Sequence, residues 1–298
     1  MLTVCLPVHN YDVRPLVREL DRQRASLPGA VRILVLDDGS DAATRRTNAA
    51  LHARPELTYR ELGRNLGRAA VRNRLAREAA GDWLLFLDAD GQPGPELLAN
   101  YLRAIRDLPP GQERDRVFVG GRNYAPAAPP PPHYLHWYYG THRESQPPSV
   151  RNRRPYAAFH TNNFLAPRGL LLRHPFATEH AGYGHEDTLW GQQLRAHGAT
   201  VLHLDNPVVH LGLEAHRTFL DKQRAAIRNL AHLRRHHPEL RTRLTDFATA
   251  NPRLAALAAR LPEGWLLRQL NGPTPNLRAL DLLKLRWWRA AQLAHPPE

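Results

Sequence analysis

The sequence predicts an α/β fold, with a mostly parallel central sheet flanked by helices and a helical C-terminal extension. Three observations predict it. Over the first 120 residues, short and almost continuously apolar runs alternate with amphipathic stretches. Such runs are expected of strands whose two faces are both covered by helices. Two of the runs end in acidic clusters, and after residue 214 the chain reads as helix almost to its end, rich in Arg and His.

The elements follow in order. Strands are predicted at 2–8 (L-T-V-C-L-P-V), 31–36 (V-R-I-L-V-L), 57–62 (L-T-Y-R-E-L), 82–87 (D-W-L-L-F-L) and 117–119, with helices near 12–26, 42–52, 67–80 and 94–107. Residues 122–155 break the pattern. The stretch A-P-A-A-P-P-P-P-H holds four consecutive prolines without periodicity and reads as a loop or excursion. The aromatic run H-Y-L-H-W-Y-Y-G after it suits either packing onto the domain or ligand stacking. Residues 160–213 return to shorter elements, with a strand at 199–204. Segments 215–237 and 276–293 are amphipathic, and Trp287 and Trp288 beside basic residues suit a packed helix or a membrane interface. The boundaries expected are a domain over 1–213, in halves 1–120 and 121–213, and the helical extension over 214–298. There are no internal repeats.

Composition narrows the class. The 298 residues are 42% hydrophobic, enough for a sizeable core. No apolar run approaches the roughly 20 residues that span a bilayer. The chain enters a strand pattern at once, so no signal peptide is expected. A single cysteine, Cys5, excludes an internal disulfide and a cysteine-based zinc site; inside an apolar strand it reads as a small buried hydrophobe. A reducing, cytoplasmic setting fits. The formal charge of +13 invites an anionic partner, or reflects an Arg-rich genome, since the arginines are spread along the chain.

Candidate chemistry sits at strand ends. The second strand closes with Asp37-Asp38-Gly39-Ser40 and the fourth with Asp88-Ala89-Asp90-Gly91. Ligands of open α/β sheets bind outside the carboxyl ends of the strands. In extended backbone, Asp88 and Asp90 would point the same way and reach one hard divalent cation, Mg²⁺ or Mn²⁺. Asp and Gly also favour a plain turn. Further on, G-Y-G-H-E-D sets Glu186 and Asp187 between glycines and a helix-like run, where carboxylates can offset the helix dipole or do chemistry.

Taken together, P-V-H-N-Y, L-D-D-G-S, N-L-G-R-A-A-V-R-N and F-L-D-A-D, in this order, resemble the family 2 glycosyltransferases. The later G-Y-G-H-E-D resembles the Gly-x-Gly-x-Glu-Asp element of galactosyltransferase-like and chondroitin-polymerase-like members, and the motifs span about residues 2–212. The resemblance implies a GT-A fold, a nucleotide-sugar donor (a UDP-sugar foremost), and Mn²⁺ or Mg²⁺. It puts Pro7, His9, Asp38, Arg72 and Asp88 on the nucleotide sugar, with His9 in place of the commoner tyrosine. It puts Asp90, His210 and Asp88 on the metal. Asn162, Asn163, Tyr183 and Glu186 fall on the acceptor, and Asp187 is the general base. A departing nucleoside diphosphate needs its charge neutralised, and an acceptor hydroxyl needs a carboxylate to take its proton. One direct displacement would invert the anomeric centre.

The expected function is therefore transfer of a sugar from a nucleotide sugar to a hydroxyl of a glycan or lipid-linked acceptor, as in polysaccharide biosynthesis. The basic tail suggests peripheral contact with an anionic membrane at its inner face. Three other readings of function compete with it. A nucleic-acid-binding protein would use the +13 charge, yet no helix-turn-helix, zinc finger or RNP motif is present, and no nucleic acid is expected. A nucleotidyltransferase would need a Gly-rich N-terminal loop, which P-V-H-N lacks. An inactive scaffold sits poorly with intact acidic positions.

Overall fold

The computed structural model describes residues 1–298 except 28, 30, 55–56, 179–181 and 295–298. The last four fall in the basic tail expected at a membrane, and lie outside the described residues. The chain forms two compact units. One comprises Met1–Ala125, Ser145–Glu179 and Trp190–Gly212; the other Pro126–Glu144, His180–Leu189 and Leu213–Glu298.

The first unit is built on a seven-stranded sheet. Its strands are β1 (Leu2–Val8), β2 (Val31–Asp37), β3 (Leu57–Glu61), β4 (Trp83–Leu87), β6 (Arg116–Val119), β8 (Asn163–Pro167) and β9 (Thr200–His203). The order is β3-β2-β1-β4-β8-β6-β9. β3, β2, β1 and β4 run parallel, as do β6 and β9, while β8 is antiparallel to both of its neighbours. The mostly parallel sheet, and all six strands read from apolar runs, are present within a residue or two. β8 carries no comparable signal, because F-L-A-P is short and bracketed by polar residues.

Strand alternation sorts the core into two layers. Val4, Leu6, Val8, Ile33, Val35, Leu85 and Leu87 face α1 (Arg14–Ala25) and α4 (Leu97–Arg106). Cys5, Leu34, Leu36, Leu84 and Phe86 face the other way, toward α3 (Arg68–Glu78), α7 (Arg168–Arg173) and the Trp190–Ala196 part of α8 (Glu186–Ala196). Cys5 is fully buried and unbridged, and burial raises its thiol pKa. Trp190 stacks on Phe176 and donates its indole N–H to the His174 carbonyl at 2.8 Å.

Two buried polar nodes close the sheet's far strands. Asn163, fully buried, accepts from the Tyr101 hydroxyl at 2.7 Å and donates to the Gly121 and Asn206 carbonyls. The Arg151 guanidinium donates to the Val119, Gly120 and Leu204 carbonyls and lies 2.7 Å from His203 Nδ1. His203 Nε2 in turn donates to the Pro155 carbonyl, 2.9 Å away.

The second unit is helical. It holds α5 (Pro131–Tyr139), a π-helical turn (Gly140–Glu144), the first turn of α8, α9 (His216–His236), α10 (Arg243–Ala250), α11 (Pro252–Arg260), α12 (Glu263–Arg268) and α13 (Leu277–Ala294). The proline stretch, read as loop, is irregular through Pro130 and helical from Pro131. Proline is tolerated in a first turn, where its missing N–H has no partner to lose. The aromatic run then packs within the unit, His136 stacking on Phe219 at 4.9 Å. Trp287 and Trp288 are 5% and 2% exposed. Trp287 donates to Glu263, and Arg234 lies over Trp288, so both tryptophans are taken up by packing rather than presented to a bilayer.

Burial presses the His203 pKa down to about 4, with the Arg151 charge acting in the same sense and the bond to Pro155 against it. The folded protein then keeps this imidazole neutral where the unfolded chain, titrating at about 6.5, already binds a proton. Stability is therefore lost as pH falls from about 6.5 toward 4, by about 3 kcal/mol. Urea unfolding at pH 7.5 and 4.5 would read this slope, and His203→Gln should flatten it. An unchanged slope in the variant would remove His203 as its source.

Candidate active site

The carboxyl end of the parallel strands gathers the acidic residues picked out in the sequence. Past β1, His9 projects from the surface with Nδ1 3.0 Å from the Asp38 carbonyl and 3.1 Å from the Asn65 amide nitrogen. Pro7, on β1, is half-buried. Asn10 adopts a left-handed φ of 51°, its N–H donating to Ser40 Oγ and its side-chain oxygen accepting from the Asp41 N–H.

At the end of β2 the two aspartates divide their work. Asp37 accepts from the Ser40 N–H at 2.7 Å and from the Tyr59 hydroxyl at 3.1 Å, and is entirely enclosed. Asp38 accepts the Leu66 and Gly67 N–H groups, one on each carboxylate oxygen, at 2.7 and 3.1 Å. Burial raises the Asp38 pKa and the two amides pull it back only in part. Gly39 is required here. Its φ is +69°, and a Cβ would land on the backbone of Arg64 and Asn65. The D-D-G-S motif thus clamps the loop that leads into α3.

α3 brings Arg72. Expected on the nucleotide sugar, it is 2% exposed, and its Nη2 donates to Asp88 Oδ1 at 2.9 Å. It is buried because the helix face carrying Arg72 also carries the buried Val71, Leu75 and Ala76.

Asp88 and Asp90 do not share one face of a strand. β4 ends at Leu87, and Asp88-Ala89-Asp90 turn over, with the Gly91 N–H donating to the Asp88 carbonyl at 3.0 Å. The turn reading is the one this geometry matches. Asp88 swings to Arg72, and Asp90 swings to His210, whose Nδ1 is 3.4 Å from Asp90 Oδ1. A second, three-stranded sheet makes that meeting. β5 (Gly91–Pro93) pairs antiparallel with β10 (Val208–His210), which pairs parallel with β7 (Arg122–Asn123); Gly91 lies opposite His210. The Leu211 N–H donates to the Asp90 carbonyl, and Gly212 leaves no room for a Cβ beside the Asp90 carboxylate. Burial works to raise the Asp90 pKa, but His210, with the charges of Arg122 and Arg68, holds it below the ordinary value.

This donor set can be tested against a divalent cation. Among the described residues no three His, Cys, Asp or Glu side chains form a metal cage. Mg²⁺-type ions, however, are held by one or two protein ligands together with substrate phosphates and water. Asp90 and His210 fit that demand, and the imidazole favours Mn²⁺. Asp88, expected among the metal ligands, is engaged instead by Arg72.

Of the paired asparagines, Asn163 is consumed by the node with Tyr101, Gly121 and Asn206. Its expected acceptor contact is corrected, because its amide is wholly enclosed. Asn162 is 5% exposed, and its carbonyl accepts the Asp88 N–H at 3.1 Å. Asn10, Ser40 and Asn65 fall within quoted motifs, but the sequence reading gives none of the three a role. Asn65 lay within the quoted N-L-G-R stretch, and its place before the Gly67 helix start was the available signal.

In the second unit, Glu186 and Asp187 occupy the first turn of α8, both half-buried. Asp187 Oδ1 accepts the Thr188 N–H at 2.7 Å. The Leu189 N–H donates to the carbonyl of His185, which holds a left-handed φ of 70°. The two glycines of G-Y-G-H-E-D serve the approach of a helix. A Cβ on Gly182 would strike Asn229, one on Gly184 would meet Ala226, and Asn229 donates to the Gly184 carbonyl at 2.6 Å. Tyr183, on the same loop, is partly exposed, with the Lys222 ammonium 5.7 Å from its ring centre.

Comparison with known proteins gives these features a family. The sequence model described as glycosyl transferase family 2 matches residues 3–161, just over half of the chain. A search of curated proteins gave no match. Among solved structures, mannosyl-3-phosphoglycerate synthase from Rubrobacter xylanophilus is similar at a TM-score of 0.56 and 19% identity, over 82% of this chain and 76% of that one. S. aureus TarS gives 0.52 and 17%, over 98% and 53%. The mannosyltransferase PcManGT from Pyrobaculum calidifontis, in complex with GDP-Man and Mn²⁺, gives 0.51 and 19%, over 98% and 74%. At these identities the likeness is one of fold. The chain belongs to glycosyl transferase family 2, and is a glycosyltransferase of the GT-A fold.

Proposed function

We propose that this enzyme is a metal-dependent, inverting transferase that moves a sugar from a nucleotide-sugar donor to a hydroxyl of a glycan or lipid-linked acceptor. The observation that carries it is the split pair at the end of β4, with Asp90 facing His210 and Asp88 held by the buried Arg72. That arrangement gives one carboxylate to a cation and the other to a neutral, hydroxyl-bearing group. A UDP-sugar is the expected donor; GDP-mannose with Mn²⁺, present in one fold neighbour, is the other nucleotide to try.

Asp38 retains lone pairs beyond those taken by Leu66 and Gly67, and on this reading it accepts from the nucleotide base while the exposed His9 ring lies against it. Arg72 positions Asp88 instead of contacting the diphosphate. A divalent cation held by Asp90 and His210 would supply Lewis-acid neutralisation of the leaving diphosphate. Asp187 is assigned the acceptor's proton, on the likeness of G-Y-G-H-E-D and on its rigid seat in a first helical turn. Glu186 and Tyr183 remain for the acceptor. The acceptor oxygen forms its bond to the anomeric carbon as the bond to the diphosphate breaks, and its proton passes to Asp187.

The setting proposed is cytoplasmic, with peripheral contact at an anionic membrane. No described helix is long and apolar enough to cross one. What supports surface contact is α10–α12, where Phe247, Leu254, Leu257 and Trp265 are 42%, 55%, 60% and 45% exposed. Arg243, Arg253, Arg260 and Arg268 lie on the same helices, while their acidic residues Asp246 and Glu263 are already ion-paired. Apolar groups among cations suit an anionic interface.

Three outcomes are expected. Asp187→Asn should lower kcat at least about 10³-fold, as loss of a positioned base does, with nucleotide affinity unchanged by calorimetry. Full transfer by this variant would end the base assignment. Asp90→Ala should abolish the gain in UDP or GDP affinity that Mn²⁺ confers on the wild type; retention of that gain would put the cation elsewhere. Co-sedimentation with phosphatidylglycerol-rich vesicles should fall when Leu254 and Leu257 are both changed to Glu. Equal sedimentation of the two proteins would count against the membrane surface.

A further inference from the structure

Inside the first unit, Asn162 is a buried amide that the fold leaves unpaired at both ends. Asn162 is 5% exposed, and neither its amide nitrogen nor its amide oxygen has a hydrogen-bond partner among the described residues. Its sequence neighbour Asn163, in the same enclosed setting, has every side-chain atom engaged. A buried amide left this way costs free energy unless a ligand or water supplies its bonds. The side chain has no packing reason to be an amide, because a leucine or alanine at this point would carry no such cost.

Its place narrows what the missing partner is. The β4–β8 ladder ends with Leu87 opposite Asn163, and the next rung is the bond from the Asp88 N–H to the Asn162 carbonyl. Asn162 therefore stands beside Asp88, at the carboxyl end of the parallel strands, where α/β sheets hold ligands. Its chemistry narrows it further. The amide offers donors and an acceptor together. A phosphate oxygen accepts only, and would leave the amide oxygen bare. A hydroxyl donates and accepts, and so satisfies both ends. Asp88, fixed by Arg72, offers an acceptor beside it.

We propose that Asn162 is a specificity-determining residue for the donor: its amide binds a hydroxyl of the transferred sugar, not the acceptor as the sequence alone suggested. The inference rests on the nucleotide-sugar reading above, and it adds which part of the donor is read and by what. A site built around a hydroxyl rejects an analogue without it far more strongly than an apolar pocket rejects an extra methylene.

The experiment compares wild type, Asn162→Ala and Asn162→Ser. Affinities for UDP and GDP, and for UDP-glucose, UDP-galactose, UDP-N-acetylglucosamine and GDP-mannose, are measured with Mn²⁺ by calorimetry. The preferred donor is then tested as its series of monodeoxy analogues. In Asn162→Ala, affinity for the bare diphosphate should stay within about twofold, while affinity for the preferred nucleotide sugar falls about tenfold, the scale of one lost hydrogen bond. Wild type should discriminate against one deoxy position by about 10² or more in kcat/KM, and the variant should lose that discrimination at that position alone. Asn162→Ser, keeping a hydroxyl partner, should recover part of it. Equal loss for diphosphate and nucleotide sugar would reveal a structural role and overturn the proposal. So would no loss at all, which is the outcome if an internal water satisfies the amide. A wild type that binds diphosphates but none of the sugars overturns both this inference and the transferase reading. A wild type that binds them with an unaltered variant overturns only this one.

Discussion

The site hangs on a guanidinium that has been taken out of water. Arg72 lies on a helix face otherwise made of Val71, Leu75 and Ala76, and its charge is met by Asp88. Removing one member of such a pair leaves the other buried and uncompensated, at a cost of about 3–5 kcal/mol where both are fully enclosed. Asp88 is the more exposed partner, which lowers that figure here. The constraint still fixes where Asp88 points. Because Asp88 is committed, the turn after β4 must carry Asp90 the other way, and the small sheet of β5, β10 and β7 supplies His210 to meet it.

The same demand shapes the surrounding loops. Asp38 does not hang free at the end of β2. It holds the Leu66 and Gly67 amides, so the loop before α3, and with it the helix bearing Arg72, is tied to the strand end. Gly39 has to be glycine because the Arg64–Asn65 backbone lies against it. On the neighbouring strands Asn163 and Arg151 donate to carbonyls at and just past the ends of β6 and β9. A polar group that this network omits therefore stands out, which is why Asn162 carries weight and Asn163 does not.

The second unit has its own version of the problem. The loop before α8 runs so close to α9 that only glycine fits at positions 182 and 184, and Asn229 closes the gap with a bond to Gly184. The result is a helix start whose first turn bears Glu186 and Asp187 on a fixed backbone. Acidic groups there favour the helix dipole in any case, so structure and proposed chemistry make the same choice of residue.

What the sequence determined by itself was whatever depends on near neighbours. Alternation within V-R-I-L-V-L and W-L-L-F-L is a local property, and it specified strands covered on both faces. The acidic strand ends and the order of motifs likewise placed Asp38, Asp88 and Asp90 at the right edge of the sheet. What only the tertiary structure decided was every matter of pairing. β8 is short and enters between β4 and β6 by hydrogen bonds that no periodicity encodes. Asp88 and Asp90 were read as parallel ligands because extended backbone makes i and i+2 alike, but the strand ends at Leu87, before either aspartate, and the rule does not apply. Whether a tryptophan meets a membrane or Glu263, and whether an asparagine closes a fold or waits for a ligand, depends on partners distant in the chain. Local patterns carry no information about those partners, since burial and hydrogen-bond satisfaction are properties of the assembled fold.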